Sequence, residues 1–389
     1  MRHQAALEAF LATLPVLDGH CHPPRRQPPA SAEAFQRFFS ESDDPQLAAR
    51  HVPHSLFFQH SLQQLATLLD TPAEVAALLE RRQALGLRDY LHLLVQRSNL
   101  RGLLVDDGYR PEASYTCAEL QALLAGTSCR VWRVLRLETL AEQLLAAHPD
   151  FAAFLDAYRA ALQELRAQGI VALKSIIAYR TGLAVEPPDA KAAAQAFAQA
   201  RQALARDGRV RLAHKPLLDF LLAVALEAAA QQGLPVQLHT GFGDPDLDLL
   251  QSNPLLLRPL LHREPAPRVP LVLLHAYPYL REAAYLSSVY ANVYVDLSLA
   301  FPMLHLAAER ALEEVLGLAP VSKVLYGSDA AGLPDWLWLG VLACRRALAR
   351  LLAAWVEAGL PEAQARAVAE AILYANGCAL YGVPLDPLP

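Results

Sequence analysis

The chain has 389 residues, 54% of them hydrophobic and 19% charged, with a formal net charge of -5. That apolar content supplies a large core, and the length exceeds the ~250 residues typical of a bare (β/α)8 barrel. The acidic balance excludes the basic footprint that nucleic acid or an anionic membrane surface demands.

Residues 1–17 lack the charged head, continuous apolar centre and small-residue cleavage site of a secretory signal, so they read as a short amphipathic helix and the expected compartment is the cytoplasm. The apolar run that follows ends in His20-Cys21-His22. On an extended backbone alternate residues share a side, so both imidazoles face one way and Cys21 the other, which is half a metal site from one strand. The five cysteines form no CxxC pair, and their odd number does not suggest a disulfide framework. Prolines between 23 and 29 mark a loop leaving the strand end.

Apolar spacing of three and four predicts a helical insertion after strand one, over 31–98, lying across the barrel mouth. Strands two and three are expected at 102–106 and 130–137, followed by a helix over 139–168 that Gly169 stops. Strand four is expected at 170–176, and strands five to eight at 235–239, 270–275, 293–297 and 323–326. Helices are expected at 189–205, 216–231, 281–290, 334–357 and 361–374. The alternation implies a parallel sheet with crossover helices, an α/β (β/α)8 TIM barrel forming a single domain over 1–389. The apolar run 336–344 is far shorter than the ~20 residues a bilayer span needs, so no membrane association is expected.

Lys174, His239, His275 and Asp329 each close a further apolar run. The interval from His239 to His275 holds one strand-helix unit and that from His275 to Asp329 holds two, which puts the aspartate after strand eight. Six ligand-type side chains at the carboxyl ends of strands describe a metal centre at the mouth of a barrel. His275 suits a metal ligand, a general acid or base, or a structural role. Asp329 suits ligation with one oxygen and proton transfer with the other, or a helix cap. An ammonium at Lys174 would repel a divalent ion, so the lysine either carries bound carbon dioxide or faces a substrate anion. Tyr179 and Arg180 follow strand four on the mouth side, where a guanidinium fits a substrate carboxylate or an internal ion pair. Arg136 and Glu138 are read as orienting partners or an ion pair, Asp106 and Asp107 as turn caps. His51, His54 and His60 reach a substrate only if the insertion covers the mouth.

These residues resemble the amidohydrolase superfamily, whose pattern is HxH after strand one, a bridging modified lysine after strand four, histidines after strands five and six, and an aspartate after strand eight. His20, His22, Lys174, His239, His275 and Asp329 fill those places in order. The runs 173–183, 239–244, 275–283 and 376–382 look like the amidohydrolase-2 branch, and are similar to the amidohydrolase half of FluG- and nodulin-like proteins, where it precedes a glutamine-synthetase domain. No such domain is expected after Pro389. The resemblance implies two divalent ions, zinc before manganese or iron. His20, His22 and Asp329 would hold one, His239 and His275 the other, with carbamylated Lys174 between them. It further implies a hydrolase acting on C-N bonds: metal-activated hydroxide attacks an amide of a small carboxylate-bearing substrate, such as a γ-glutamyl amide, with Asp329 and His275 as catalytic groups. The alternatives are a single-metal decarboxylase of the same branch, or a non-catalytic barrel serving a separate synthetase. A small molecule is the expected partner, and a homo-oligomer is compatible with the apolar helix 334–357.

Overall fold

The computed structural model describes residues 2–384. Eight parallel strands follow one another in chain order around one sheet. They are β1 (Val16–Cys21), β2 (Leu100–Asp106), β3 (Arg130–Arg136), β4 (Ile170–Ser175), β5 (Val236–Thr240), β6 (Leu271–His275), β7 (Val293–Asp296) and β8 (Val324–Leu325). Backbone hydrogen bonds from Gly19 N to Tyr326 O at 2.9 Å and from Asp329 N to His20 O at 2.8 Å draw the segment around β8 onto β1 and close the ring. This is the expected (β/α)8 barrel.

The apolar pattern divides into two cores. Leu17, Leu104, Val134, Ala172, Val272 and Leu325 fill the barrel interior, with Tyr381 and Val383 packed against them. A larger shell between strands and helices takes the other face of each strand. Side-chain caps and left-handed glycines mark the ends of several helices. Asp189 accepts from Lys191 N and Ala192 N to begin Ala190–Asp207, and Gly208, at φ 69°, ends it.

One helix differs from expectation. The segment 139–168 is two helices, Leu137–Ala147 and Phe151–Ala161, broken at His148-Pro149-Asp150. Pro149 disfavours helical backbone at the residue before it, and Asp150 caps the second helix by accepting from Ala153 N.

The segment 31–98 holds Ala32–Gln36, Pro45–Arg50, Leu56–Leu69 and Val75–Ser98, the last broken at Gly86, where φ is 74°. Aromatic rings fasten it to the barrel: Trp336 meets Phe57 edge-on at 5.4 Å and Phe39 at 6.4 Å. A buried network adds to this, in which Asp335 accepts from Tyr90 OH at 2.9 Å and pairs with Arg82 at 3.1 Å. Trp336 and Trp338 are thereby core residues of the helix Asp335–Glu357. Among the described residues, no helix is long and apolar enough to cross a membrane.

The closing seam has no room for a side chain at Gly19, where a Cβ would lie 2.9 Å from the carbonyl oxygen of Tyr326. Gly19→Ala is therefore expected to destabilise the fold by about 1–3 kcal/mol, the usual cost of overpacking. Equilibrium urea unfolding, monitored by tryptophan fluorescence, measures it; an unchanged midpoint would contradict the tight seam.

Candidate metal centre

All six ligand-type residues of the sequence pattern lie at the carboxyl end of the barrel, and all but His20 line one cavity of about 1000 Å³. Strand alternation alone does not explain this. Val272 and Leu274 face the interior, so His275 should turn outward. Instead its φ of 69° rotates the side chain about half a turn from the extended value and brings it inside. Asp329 also adopts a left-handed backbone, at φ 54°. Such conformations cost a non-glycine residue of the order of 1–3 kcal/mol and collect at functional sites.

The imidazoles are held by their outer nitrogens. His22 Nδ1 donates to the backbone carbonyl of Asp106 at 2.8 Å. His275 Nδ1 donates to the carbonyl of Ser298 at 3.1 Å. His20 Nδ1 donates to Gln237 Oε1 at 2.8 Å, because the amide nitrogen of Gln237 is turned toward Gly19 O and Tyr381 OH. Each ring, in its neutral form, therefore presents an unprotonated Nε2. His239 is pinned the other way, Nε2 donating to Phe242 O at 3.1 Å, which leaves Nδ1 as its lone pair.

These lone pairs meet another acceptor. Asp329 Oδ1 lies 3.3 Å from both His20 Nε2 and His22 Nε2, and it is buried without a hydrogen-bond donor. In these tautomers three acceptors face one point; Lys174 Nζ reaches one of them, His20 Nε2, at 3.4 Å, and a cation bound among them would relieve the repulsion that remains. Two ligands at ~2.1 Å from a tetrahedral ion would be about 3.4 Å apart, so the spacing fits a divalent metal. His275 Nε2 is 4.0 Å from Asp329 Oδ2, and His20, His275 and Asp329 form a close set of donors. His239 stands outside that set, with its ring 4.5 Å from that of His275.

Electrostatics put these groups in the right protonation state. Burial, followed by the nearby Lys174, lowers His20 to about 4. Burial likewise lowers His275 to about 3 and pulls His239 well down, so these three imidazoles are neutral at neutral pH. Lys174 is fully buried with Nζ 3.4 Å from His20 Nε2, and burial brings it down to about 8.

The flanking residues divide between support and cavity wall. Arg136 donates to Asp106 Oδ2 at 2.8 Å through Nε and at 2.6 Å through Nη2, so its ion pair is with Asp106 and not with Glu138, and Asp106 Oδ1 accepts from Gly108 N as the expected turn cap. Asp107 pairs with Arg133, and Glu138 accepts from Ser175 Oγ and Ile176 N beside Lys174. Tyr179 lies against His239 with ring centroids 4.5 Å apart. Arg180 Nη2 is 3.3 Å from Glu142, while its Nε and Nη1 are buried without acceptors. His51, His54 and His60 do not line the cavity, and His60 instead contacts His305. The insertion contributes Phe38 and Glu41 to the cavity wall.

Gln237 and Asp18 were not singled out in the sequence. Gln237 sits on the same face of β5 as His239, and a glutamine inside an apolar strand demands partners, which was the available signal. Asp18 accepts from Ser328 N at 2.9 Å and Ser328 Oγ at 2.5 Å, fixing the residue before Asp329.

A family model described as Amidohydrolase matches residues 136–383. The FluG protein of Emericella nidulans is 32% identical over 420 aligned positions, covering 98% of this chain and 47% of that protein, so the chain spans about half the length of this relative. A crystal structure of a candidate metal-dependent hydrolase from Lactobacillus casei superposes with a TM-score of 0.88 at 31% identity, covering 97% of each chain. The uronate isomerase of Thermotoga maritima shares the fold, with a TM-score of 0.69 at 15% identity over 98% of this chain and 97% of that one.

Gln237→Leu would leave His20 Nδ1 without its acceptor and free the ring to turn. Loss of such an orienting contact is expected to weaken zinc binding about 10–100-fold. Competition with a chromogenic chelator measures this, and an unchanged affinity would show that Gln237 does not hold the ligand.

Proposed function

The chain belongs to the amidohydrolase family, and from that premise we propose a hydrolase that cleaves an amide or other C-N bond of a small, carboxylate-bearing molecule, γ-glutamyl amides being the first candidates. The observation that carries this reading is the convergence of His20 Nε2 and His22 Nε2 on Asp329 Oδ1, a buried carboxylate oxygen with no hydrogen-bond donor, which suits a cation. Divalent ions bound there, zinc before manganese or iron, would lower the pKa of water toward ~7 and polarise a carbonyl.

In this reading His20, His22 and Asp329 would hold one ion and His239 and His275 the other, with Lys174 contributing to both as a carbamate. A lysine takes up carbon dioxide only as the neutral amine, and the burial that draws Lys174 down to about 8 favours that form. Asp329 takes the proton from the attacking water, and His275 holds the electrophilic side of the site. Arg180 offers two unpartnered N-H groups to a substrate carboxylate, with Tyr179 beside it on the wall. The partner is a small molecule and the compartment the cytoplasm.

A single-ion reading, with decarboxylation as its chemistry, draws on the separation of His239 from the close donor set. Metal counting separates the two. The hydrolase reading expects two ions per chain, an intact mass showing one bound carbon dioxide, and turnover of at least one member of a γ-glutamyl amide panel. One ion with unmodified Lys174 and no amide turnover would overturn it. Lys174→Ala is expected to lose one ion and most activity.

Reconstitution should depend on pH with a definite sign. Because the folded-state value of Lys174 lies near 8, the amine becomes neutral as pH rises through that value. Zinc loading of the second position from the metal-free protein in bicarbonate should therefore be faster at pH 8.5 than at pH 6.5 by roughly tenfold or more, following the neutral fraction. Equal rates, followed by metal content against time, would speak against carbamate formation.

A further inference from the structure

We propose that Tyr179 acts through its ring as a positioning residue, holding the imidazole of His239 so that Nδ1 is the nitrogen offered to the second ion. This assignment rests on the two-ion reading above. His239 lies on β5, between β4 and β6, and its ring is flanked from both neighbours. Tyr179 follows β4 and His275 ends β6, and each has its ring centroid 4.5 Å from that of His239.

A histidine at this place has two freedoms to lose. The first is which edge faces the cavity, because half a turn of the ring would put carbon where Nδ1 stands and leave no lone pair there. The hydrogen bond from Nε2 to Phe242 O at 3.1 Å fixes that edge. Phe242 is itself tied to the loop after β6, its N-H donating to Tyr277 O at 2.7 Å and its ring meeting that of Tyr277 edge-on at 5.6 Å. The second freedom is tilt about that hydrogen bond. A ring laid against the imidazole removes it, and Tyr179 supplies that ring.

Tyr179 reaches this position because residue 243 has no side chain. A Cβ on Gly243 would overlap the Tyr179 hydroxyl, lie 2.7 Å from its Cζ and come within 3.3 Å of His239 Nε2. The far end of the tyrosine is thus wedged into the turn that carries Phe242 O. Its near end is fixed by the backbone, where Tyr179 N donates to Ile176 O at 2.9 Å and Tyr179 O accepts from Arg211 Nη2 at 3.2 Å. The hydroxyl accepts from Asp244 N at 3.4 Å, a long contact that adds little to the hold. The working part is the ring face.

A hydroxyl contact with substrate and a ring contact with His239 are separable by substitution. Phenylalanine keeps the ring and loses the hydroxyl, leucine loses both, and Gly243→Ala displaces the ring without altering it.

The test uses the full chain, stripped of metal and reloaded with zinc in bicarbonate, with both zinc affinities read by competition with chromogenic chelators. Tyr179→Leu and Gly243→Ala are each expected to weaken one affinity by about 10–100-fold, the usual loss when a ligand's orienting partner is removed, and to leave the other nearly unchanged. Tyr179→Phe should bind both ions as the wild type does. His239→Ala should weaken the same affinity, and adding Tyr179→Leu to it should cost nothing more, since the two act through one imidazole. A loss in Tyr179→Phe as large as in Tyr179→Leu would assign the role to the hydroxyl and overturn the proposal. No loss in Tyr179→Leu, or equal loss of both ions, would overturn it while leaving the two-ion reading in place. A wild-type chain that takes up a single zinc would overturn both.

Discussion

Barrel closure and ligand placement are one and the same contact. Asp329 gives its backbone N-H to the carbonyl of His20, and two residues on, His22 gives its own to Ala330 at 2.7 Å. The hydrogen bonds that bring the end of the last strand onto the first thus set the distance from the Asp329 carboxylate to two imidazoles. Asp18 reinforces the seam from beneath by gripping Ser328 through both side-chain oxygens. A shift of one residue along this seam would turn the ligands away from one another, because alternate strand positions face opposite sides.

Around that contact the protein has removed protons as carefully as it has placed atoms. Backbone carbonyls and the amide of Gln237 take the outer N-H of His20, His22 and His275. Withdrawal from water keeps His20, His239 and His275 uncharged, and the same burial strips Lys174 of most of its usual affinity for a proton. The uncharged imidazoles are in the electronic form in which nitrogen bases bind a Lewis acid. Without a cation the arrangement is unfavourable at short range. The left-handed backbone at His275 and Asp329 adds to that cost, and the surrounding fold bears both.

Much of this was legible in the order of residues. The period of a strand is fixed by geometry, so His20 and His22 could be placed on one face, and Cys21 away from it, before any tertiary contact was known; Cys21 indeed packs in the outer shell. Ends of apolar runs marked the strand ends that carry Lys174, His239, His275 and Asp329. What stayed hidden depends on distant partners. Local alternation would send His275 outward, and only the rotated backbone returns it. The histidines of the insertion have the chemistry of site residues, yet packing assigns His60 to His305, and the cavity receives Glu41 from a short connecting segment with no periodic signal. The break at Pro149 was readable and was outweighed by the helical pattern on either side of it.

Because one half of the close donor set arrives with residue 20 and the other with residue 329, the centre does not exist in a partly made chain. During synthesis the paired histidines emerge early and can offer an ion only two nitrogens, a weak chelate, until the final strand docks. Tight capture therefore falls to the finished polypeptide. Whatever free energy the ion contributes, about 4 kcal/mol at a thousand times its dissociation constant, is drawn from the folded state alone. An ion held there would thus act on the lifetime of the whole barrel as well as on its chemistry.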